Sequence, residues 1–106
     1  YNELLAGLEL DVPYEDGKGV HVYHQYTILT PHRERIMKSL ADRGIASAIY
    51  YPIPLHRQEV FAETCRNCVL PFAEDVAVHC LSLPIFPEMS REQVETVAAV
   101  IRESLA

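Results

Sequence analysis

The stretch at residues 49–56, IYYPIPLH, restricts the folds that this chain can adopt. Two tyrosines follow an apolar run and are themselves followed by prolines at positions 52 and 54. Each proline fixes φ at about −65° and lacks a backbone N–H, so an ordinary central strand cannot continue past Tyr51. We therefore predict a strand over residues 45–51, followed by a stiff extended arm with two phenols at its root and the imidazole of His56 at its end.

This proline arm is a candidate ligand-binding segment, because a stiff segment loses little conformational entropy when it meets a ligand. Tyr50, Tyr51 and His56 are its candidate binding residues. If the strand runs to its end, the two tyrosines lie on opposite faces and at most one of them faces the core. The alternatives are that both rings only pack, with their hydroxyls in water, and that His56 is a loop histidine bonded to backbone. Arg57 is interpreted as a surface charge rather than as a diphosphate ligand.

Alternating residues upstream of the arm predict a first strand over residues 20–29. Thr30-Pro31 then offers an N-cap and a proline at the first helical position, and Gly44 suits the left-handed residue that ends a helix. We therefore predict a helix between these two points, with an apolar stripe that packs on the sheet. That stripe consists of Ile36, Met37, Leu40 and Ala41.

Two further helices and a third strand are predicted after the arm. Pro71 opens a helix that places Cys80 on its apolar stripe, and residues 81–83 form a short strand. Ser90 and Gln93 then form a capping box at the start of the last helix, because the side chain of each can satisfy an unpaired backbone N–H of the other.

With one short helical turn over residues 58–62, the order of the elements is strand, helix, strand, short helical turn, helix, strand, helix, which predicts an α+β fold. It is a two-layer sandwich in which a small, mainly antiparallel sheet of about three strands has helices packed on one face. No predicted helix remains for the other face, so we expect a further domain to cover it. Residues 1–12 are interpreted as the end of a helix and a connector from a larger domain, and residues 13–106 as the small domain.

Composition and charge exclude several classes of function. The chain has 106 residues and a formal net charge of −6, and this acidic balance argues against nucleic acid as the main partner. No apolar run approaches the roughly 18 residues of a membrane span, and no signal peptide is visible. Three cysteines without a secretion signal fit a reducing compartment better than a disulfide framework, so we expect a cytoplasmic protein.

Cys65 and Cys68, followed by His79 and Cys80, invite a zinc-site interpretation. A closed structural site needs a full tetrahedral ligand set, whereas Cys80 is predicted to lie hidden on a helix stripe and His79 to point elsewhere. A thioredoxin-like redox pair needs a strand before it and a helix that begins at it, whereas a loop precedes this pair. We therefore predict neither a metal site nor a redox function for these residues.

Several blocks of the sequence occur together in an order and spacing that a known family shares. Residues 21–28 (HVYHQYTI) begin the series, which continues through Gly44-Ile45 and the proline arm. It resumes at Leu70-Pro71 and at residues 81–87 (LSLPIFP). Over about residues 13–106, these blocks resemble the small C-terminal domain of the DegT/DnrJ family of pyridoxal-phosphate-dependent sugar aminotransferases, and several ordered blocks together are a specific signal.

This resemblance implies a fold-type-I aminotransferase that moves an amino group, usually from glutamate, onto a keto sugar carried by a nucleotide. It implies a pyridoxal phosphate cofactor that a lysine of the large domain holds as an imine. It also implies a homodimer with active sites at the subunit interface, in which the small domain closes one side of the pocket. By the same resemblance, Tyr50 and Tyr51 reach the sugar substrate, and His56 is a further candidate.

Two departures from the family pattern limit what the resemblance implies. The only lysines, Lys18 and Lys38, lie in no matching motif, so we expect no cofactor binding and no activity from this segment alone. Many relatives have histidine at the position of Tyr50, and a phenol with a pKa of about 10 does not titrate near neutral pH as an imidazole does. The alternative function is a non-catalytic α+β module that binds a ligand or a protein through its open sheet face.

Overall fold

The computed structural model describes residues 1–106 and has the α+β fold that the sequence predicts. Strands β1 and β2 pair antiparallel, with Tyr26 opposite Leu83 and Leu29 opposite Cys80. None of the helices is long and apolar enough to cross a bilayer. In chain order the elements are β1 (Tyr26–Leu29), α1 (Arg33–Asp42), 3₁₀ turns at Leu55–Arg57 and Glu59–Phe61, α2 (Pro71–His79), β2 (Cys80–Leu83) and α3 (Arg91–Ser104).

One face of the sheet packs against helices α1 and α3. Tyr26 and Ile28 on β1 lie opposite Leu83 and Leu81 on β2, so alternate positions of both strands point into the same layer. The predicted class, with helices packed on one face of a small antiparallel sheet, is therefore confirmed. The helical side of this core consists of Ile36 and Leu40 on α1 and of Val97, Ala98, Val100 and Ile101 on α3.

The sheet has two strands rather than about three, because the predicted strand over residues 45–51 keeps only one bridging pair. Ala48 and Ser82 exchange both backbone hydrogen bonds, at 3.1 and 2.7 Å. In an antiparallel ladder, the next hydrogen-bonded pair on one side would join Ala46 to Pro84, which has no N–H to donate. The ladder therefore cannot extend from Ala48 back toward residue 46, and on the other side the chain leaves the sheet before Tyr50.

The first strand is also shorter than predicted, since it begins at Tyr26 instead of residue 20. Tyr23 has a positive φ of 51°, a left-handed conformation that interrupts an extended run. Its backbone N–H donates to Nδ1 of the His21 side chain at 2.9 Å rather than to a neighbouring strand. This local hydrogen bond competes with the sheet and keeps residues 20–25 out of it.

The starts of α2 and α3 follow the predicted signals, whereas the start of α1 does not. Pro71 is the first residue of α2. The hydroxyl of Ser90 accepts the N–H of Gln93 at 3.2 Å, and the side chain of Gln93 accepts the N–H of Ser90 at 2.9 Å, which completes the predicted capping box. Helix α1 begins later than predicted, because the Thr30 hydroxyl accepts the backbone N–H of His32 in a turn that precedes the helix.

Residues 1–10 form turns that pack on the core, not the end of an α-helix. Leu5 is 1% exposed and belongs to the core cluster. The hydroxyl of Tyr1 donates to the carbonyl of Pro84 at 2.6 Å, and its ring centroid lies 4.8 Å from that of Tyr26. Burial raises the pKa of Tyr1 to about 12. This segment is therefore part of the packed unit, while the division of the chain after residue 12 stays a prediction.

Candidate functional site

The root of the proline arm brings the two predicted phenols together. The rings of Tyr50 and Tyr51 have centroids 5.5 Å apart and planes at 68°, an edge-to-face contact across a cis peptide bond. The two residues are 45% and 69% exposed, so both reach the surface. Because the chain leaves the sheet after Ala48, the strand alternation that would place the rings on opposite faces does not extend to them.

The two tyrosines nevertheless line different hollows. Tyr50 lies in a cleft of about 330 Å³ with a mixed lining of residues 24–25, 46–48, 50 and 82–85, called the polar cleft below for the hydrogen-bonding side chains that it contains. Tyr51 lies in an apolar groove of about 520 Å³, lined by residues 51, 53–56, 58, 70, 72–73 and 76–77. The two tyrosines are predicted from the sequence to line one site, whereas in the structure each ring has its own surroundings.

The polar cleft presents neutral hydrogen-bonding groups. Ser82 on β2 is almost fully buried, and its hydroxyl lies 2.8 Å from that of Thr27 on β1. The cleft also contains the imidazole of His24, the amide of Gln25 and the phenol of Tyr50, and no carboxylate or ammonium group lines it. Such a set of uncharged donors and acceptors suits a ligand rich in hydroxyl groups.

The apolar groove lies between the proline arm and helix α2. Leu55 on the arm and Leu70 and Phe72 at the start of α2 are all exposed at its surface. A contiguous apolar surface of this kind is typical of a region that another protein segment or a ligand covers. The groove therefore differs in chemistry from the polar cleft, although the contact between Tyr50 and Tyr51 joins the two.

His56 is buried rather than directed to solvent. It lies in the 3₁₀ turn Leu55–Arg57 and is 6% exposed. Its Nε2 lies 3.2 Å from Oε1 of Glu74 on α2, and its Nδ1 is buried without a hydrogen-bond partner. Its polar contact is thus with a side chain of the neighbouring helix, not with the backbone group that the simpler alternative expects.

Glu74 is the residue of this site that sequence reasoning missed. Its Oε1 accepts hydrogen bonds from Nε and Nη2 of Arg57 at 2.9 and 2.8 Å, in addition to the contact with His56. The hydrogen bonds from Arg57, and then from His56, lower the pKa of this carboxyl. One oxygen thus joins the arm to α2. The sequence does show an acidic residue in the first turn of the helix that follows the His56-Arg57 pair. No local pattern, however, indicates that this residue contacts that pair.

The three cysteines do not gather at one point. Cys80 is fully buried, and its thiol contacts a backbone carbonyl at the root of the arm, at 3.8 Å. Nδ1 of His79 lies 3.1 Å from the carboxylate of Asp75. Cys65 and Cys68 lie half-buried in the segment between the arm and α2. No three metal-ligating side chains converge anywhere in residues 1–106.

Solved structures with the same architecture are domains of larger aminotransferases. The structure of Streptomyces venezuelae DesV in complex with a ketimine intermediate superposes with a TM-score of 0.90, at 35% identity over 97% of this chain and 28% of that chain. A DegT DnrJ EryC1 StrS aminotransferase from Brucella abortus superposes with a TM-score of 0.88, at 30% identity over 100% of this chain and 28% of that chain. The fold is therefore that of an aminotransferase domain.

Residues 1–102 match the model of the DegT/DnrJ/EryC1/StrS aminotransferase family, and the chain belongs to this family. It is 46% identical, over 99% of its length, to a UDP-N-acetyl-3-dehydro-alpha-D-glucosamine 3-aminotransferase of Acidithiobacillus ferrooxidans. It is 33% identical, over 95% of its length, to a dTDP-3-amino-3,6-dideoxy-alpha-D-galactopyranose transaminase of Aneurinibacillus thermoaerophilus. The chain spans 28% of the length of each relative. The resemblance stated from the sequence is confirmed.

Proposed function

We propose that this chain is the small C-terminal domain of a pyridoxal-phosphate-dependent aminotransferase that transfers an amino group, from glutamate, to a nucleotide-linked keto sugar. The observation that carries the proposal is family membership across residues 1–102, together with similarity to a UDP-sugar aminotransferase and a dTDP-sugar transaminase. The polar cleft supports it, because sugar hydroxyls are recognised by uncharged donors and acceptors of the kind that line this cleft.

The cofactor is proposed to bind to a part of the protein outside this chain. Pyridoxal phosphate acts as an electron sink for amino-group transfer, and a lysine holds it as an imine. Lys18 lies in an exposed segment, and Lys38 is an exposed residue of α1 whose Nζ lies 3.9 Å from the Asp42 carboxylate. Neither lysine lines the polar cleft or the apolar groove, so the lysines of this chain do not fit the cofactor. We therefore expect the isolated chain to be inactive.

Tyr50 and Tyr51 are proposed to bind the sugar, with different contributions. The phenol of Tyr50 lies in the polar cleft, where it can donate and accept hydrogen bonds. Tyr51 packs edge-to-face on Tyr50 and so restricts the positions that the Tyr50 ring adopts. His56 acts through the arm: its contact with Glu74 positions the segment that carries both phenols.

The remaining part of the protein is proposed to cover the apolar groove and to complete the substrate pocket. The exposed apolar side chains along the arm and the start of α2 support this, as does the 28% share of its relatives that the chain spans. In this proposal residues 1–12 lead from a large domain, residues 13–106 close one side of the pocket, and the whole enzyme is a cytoplasmic homodimer.

An assay of the full-length gene product tests the proposal. With glutamate and a panel of UDP- and dTDP-linked keto sugars, we expect formation of α-ketoglutarate with at least one sugar, and the absorbance of bound pyridoxal phosphate in the purified protein. A gene that encodes no lysine-bearing large domain would contradict the proposal. So would a full-length protein that binds no cofactor when pyridoxal phosphate is supplied.

A further inference from the structure

We propose that Cys65 and Cys68 form a reversible disulfide by exchange with oxidised glutathione, so that the turn between them is a redox-modification site. The N–H of Cys68 donates to the carbonyl oxygen of Cys65 at 2.9 Å. This bond closes a four-residue turn, whose first and last Cα atoms lie within about 7 Å of each other. Disulfides join residues with Cα atoms about 4.4–6.8 Å apart, so the backbone already holds the pair within reach.

The two thiols are also electrostatic neighbours. A hydrogen bond to the Cys68 thiol raises the pKa of Cys65, an effect that requires neighbouring sulfur atoms. Both residues are half-buried, so a small thiol reagent reaches them without unfolding of the chain. Cys80 is fully buried at the start of β2 and does not take part. The proposed unit is therefore the pair Cys65 and Cys68, in which each thiol has the other as its partner.

The surroundings of the pair indicate a modification site, not an oxidoreductase centre. The N–H of Cys65 donates to the carbonyl of Phe61 at 2.8 Å, so the pair follows the 3₁₀ turn Glu59–Phe61 in a run of successive turns. No strand leads into it and no helix begins at it. Thioredoxin-like chemistry is excluded on this ground, but the turn that holds the two cysteines close together supports simple disulfide exchange.

The exchange balances in two steps. One protein thiolate attacks the disulfide of oxidised glutathione, which forms a protein–glutathione disulfide and releases one glutathione thiolate. The second protein thiol loses its proton and attacks the protein sulfur of that mixed disulfide, which displaces the second glutathione. Overall the protein loses two electrons and two protons, and oxidised glutathione gains them to become two molecules of reduced glutathione.

Arg66 permits a sharp test, because trypsin cuts after it and therefore between the two cysteines. The full-length protein is equilibrated with oxidised glutathione, alkylated without reduction and digested. We expect the peptide that ends at Arg66 to stay joined to the peptide that begins at Asn67 until dithiothreitol separates them. Cys65→Ser and Cys68→Ser should each abolish the joined species and retain one glutathione instead.

Cys80→Ser is the matched control, because the peptide that begins at Asn67 also contains this cysteine. It should leave the joined species unchanged. Alkylation of both Cys65 and Cys68 after equilibration with oxidised glutathione alone would overturn the proposal. A joined species that persists in Cys68→Ser, or that forms only between isotopically distinct copies of the protein, would also overturn it. The readout is peptide mass and is independent of the proposed aminotransferase activity.

Discussion

Oε1 of Glu74 lies 3.2 Å from Nε2 of His56, and this contact joins the proline arm to helix α2. The same oxygen accepts two hydrogen bonds from Arg57. Because Nδ1 of the buried His56 ring has no partner, Glu74 provides the side-chain polar attachment of that ring. We therefore expect the positions of Tyr50 and Tyr51, at the other end of the arm, to depend on a carboxylate of the following helix.

Glu74→Ala should lower the thermal and urea unfolding midpoints, the thermal one by several degrees. The substitution leaves the buried ring of His56 without a polar partner, and unpaired buried polar groups destabilise a fold. Circular dichroism during unfolding measures the effect. Glu59→Ala, which removes an exposed carboxylate from the same region, is the control and should leave both midpoints near wild type. Equal midpoints for the two variants would show that Glu74 does not hold the arm.

The contribution of Glu74 should disappear in acid. Hydrogen bonds from Arg57 and His56 lower the pKa of this carboxyl below its ordinary value of 4.5. A carboxyl with a depressed folded pKa contributes stability that is present above the unfolded pKa and is lost as the pH falls through the folded one. The stability difference between wild type and Glu74→Gln should thus be full near neutral pH and shrink below 4.5. Urea unfolding over a pH series measures it, and a difference that persists unchanged in strong acid would contradict the assignment.

Substitutions at the two tyrosines test the proposed sugar site in the full-length enzyme. Tyr50→Phe should raise KM for the keto sugar several-fold, because it removes a hydroxyl from the polar cleft and keeps the ring. Tyr51→Ala should raise KM or lower kcat several-fold, because it removes the ring that packs on Tyr50. Both variants should retain the absorbance of the bound cofactor. Tyr14→Phe, at an exposed residue outside both hollows, is the control, and unchanged kinetics in all three variants would show the site assignment to be wrong.

Leu5→Ala should destabilise the chain by about 2–5 kcal/mol, because the side chain is fully buried in the core and its removal leaves a cavity. Urea unfolding provides the free energy. Val20→Ala, at an exposed position, is the comparison and should change it by less than about 0.5 kcal/mol. Similar values for the two variants would mean that residues 1–10 are not part of the folded unit.

Ser90→Ala should lower the free energy of unfolding by about 0.5–2 kcal/mol, because it removes the acceptor for the N–H of Gln93 at the start of α3. Ser90→Asp keeps an acceptor at the same place and should retain most of the stability. The difference between these two variants isolates the cap from any general effect of changing the residue. A Ser90→Asp protein as unstable as Ser90→Ala would contradict this interpretation.

The helices and the family could be predicted because their signals are local. Pro71 and the Ser90 capping box each act within one helical turn, and both mark a helix start in the structure. Gly44 follows α1 with the predicted positive φ, of 71°. The resemblance likewise rested on short blocks in a fixed order, and the family match over residues 1–102 bears it out.

The strand lengths and the details of the site depend on residues far apart in the chain. The bridge at Ala48 does not extend back toward residue 46 because the partner of Ala46 across the sheet would be Pro84. On the other side the chain leaves the sheet after Ala48, so strand periodicity does not indicate which hollow Tyr50 and Tyr51 each line. The partnership of Glu74 with the arm is also long-range, so neither periodicity nor capping rules indicated it.

The edge-to-face contact of Tyr50 and Tyr51 places one side chain of the pair in the polar cleft and the other in the apolar groove. A ligand that displaces one ring would also move the ring that packs against it, and would thereby change the free energy of binding in the other hollow. Thermodynamic linkage makes this influence mutual, with the same coupling factor in both directions. Ligand binding in the polar cleft and burial of the apolar groove would thereby be coupled through two aromatic side chains.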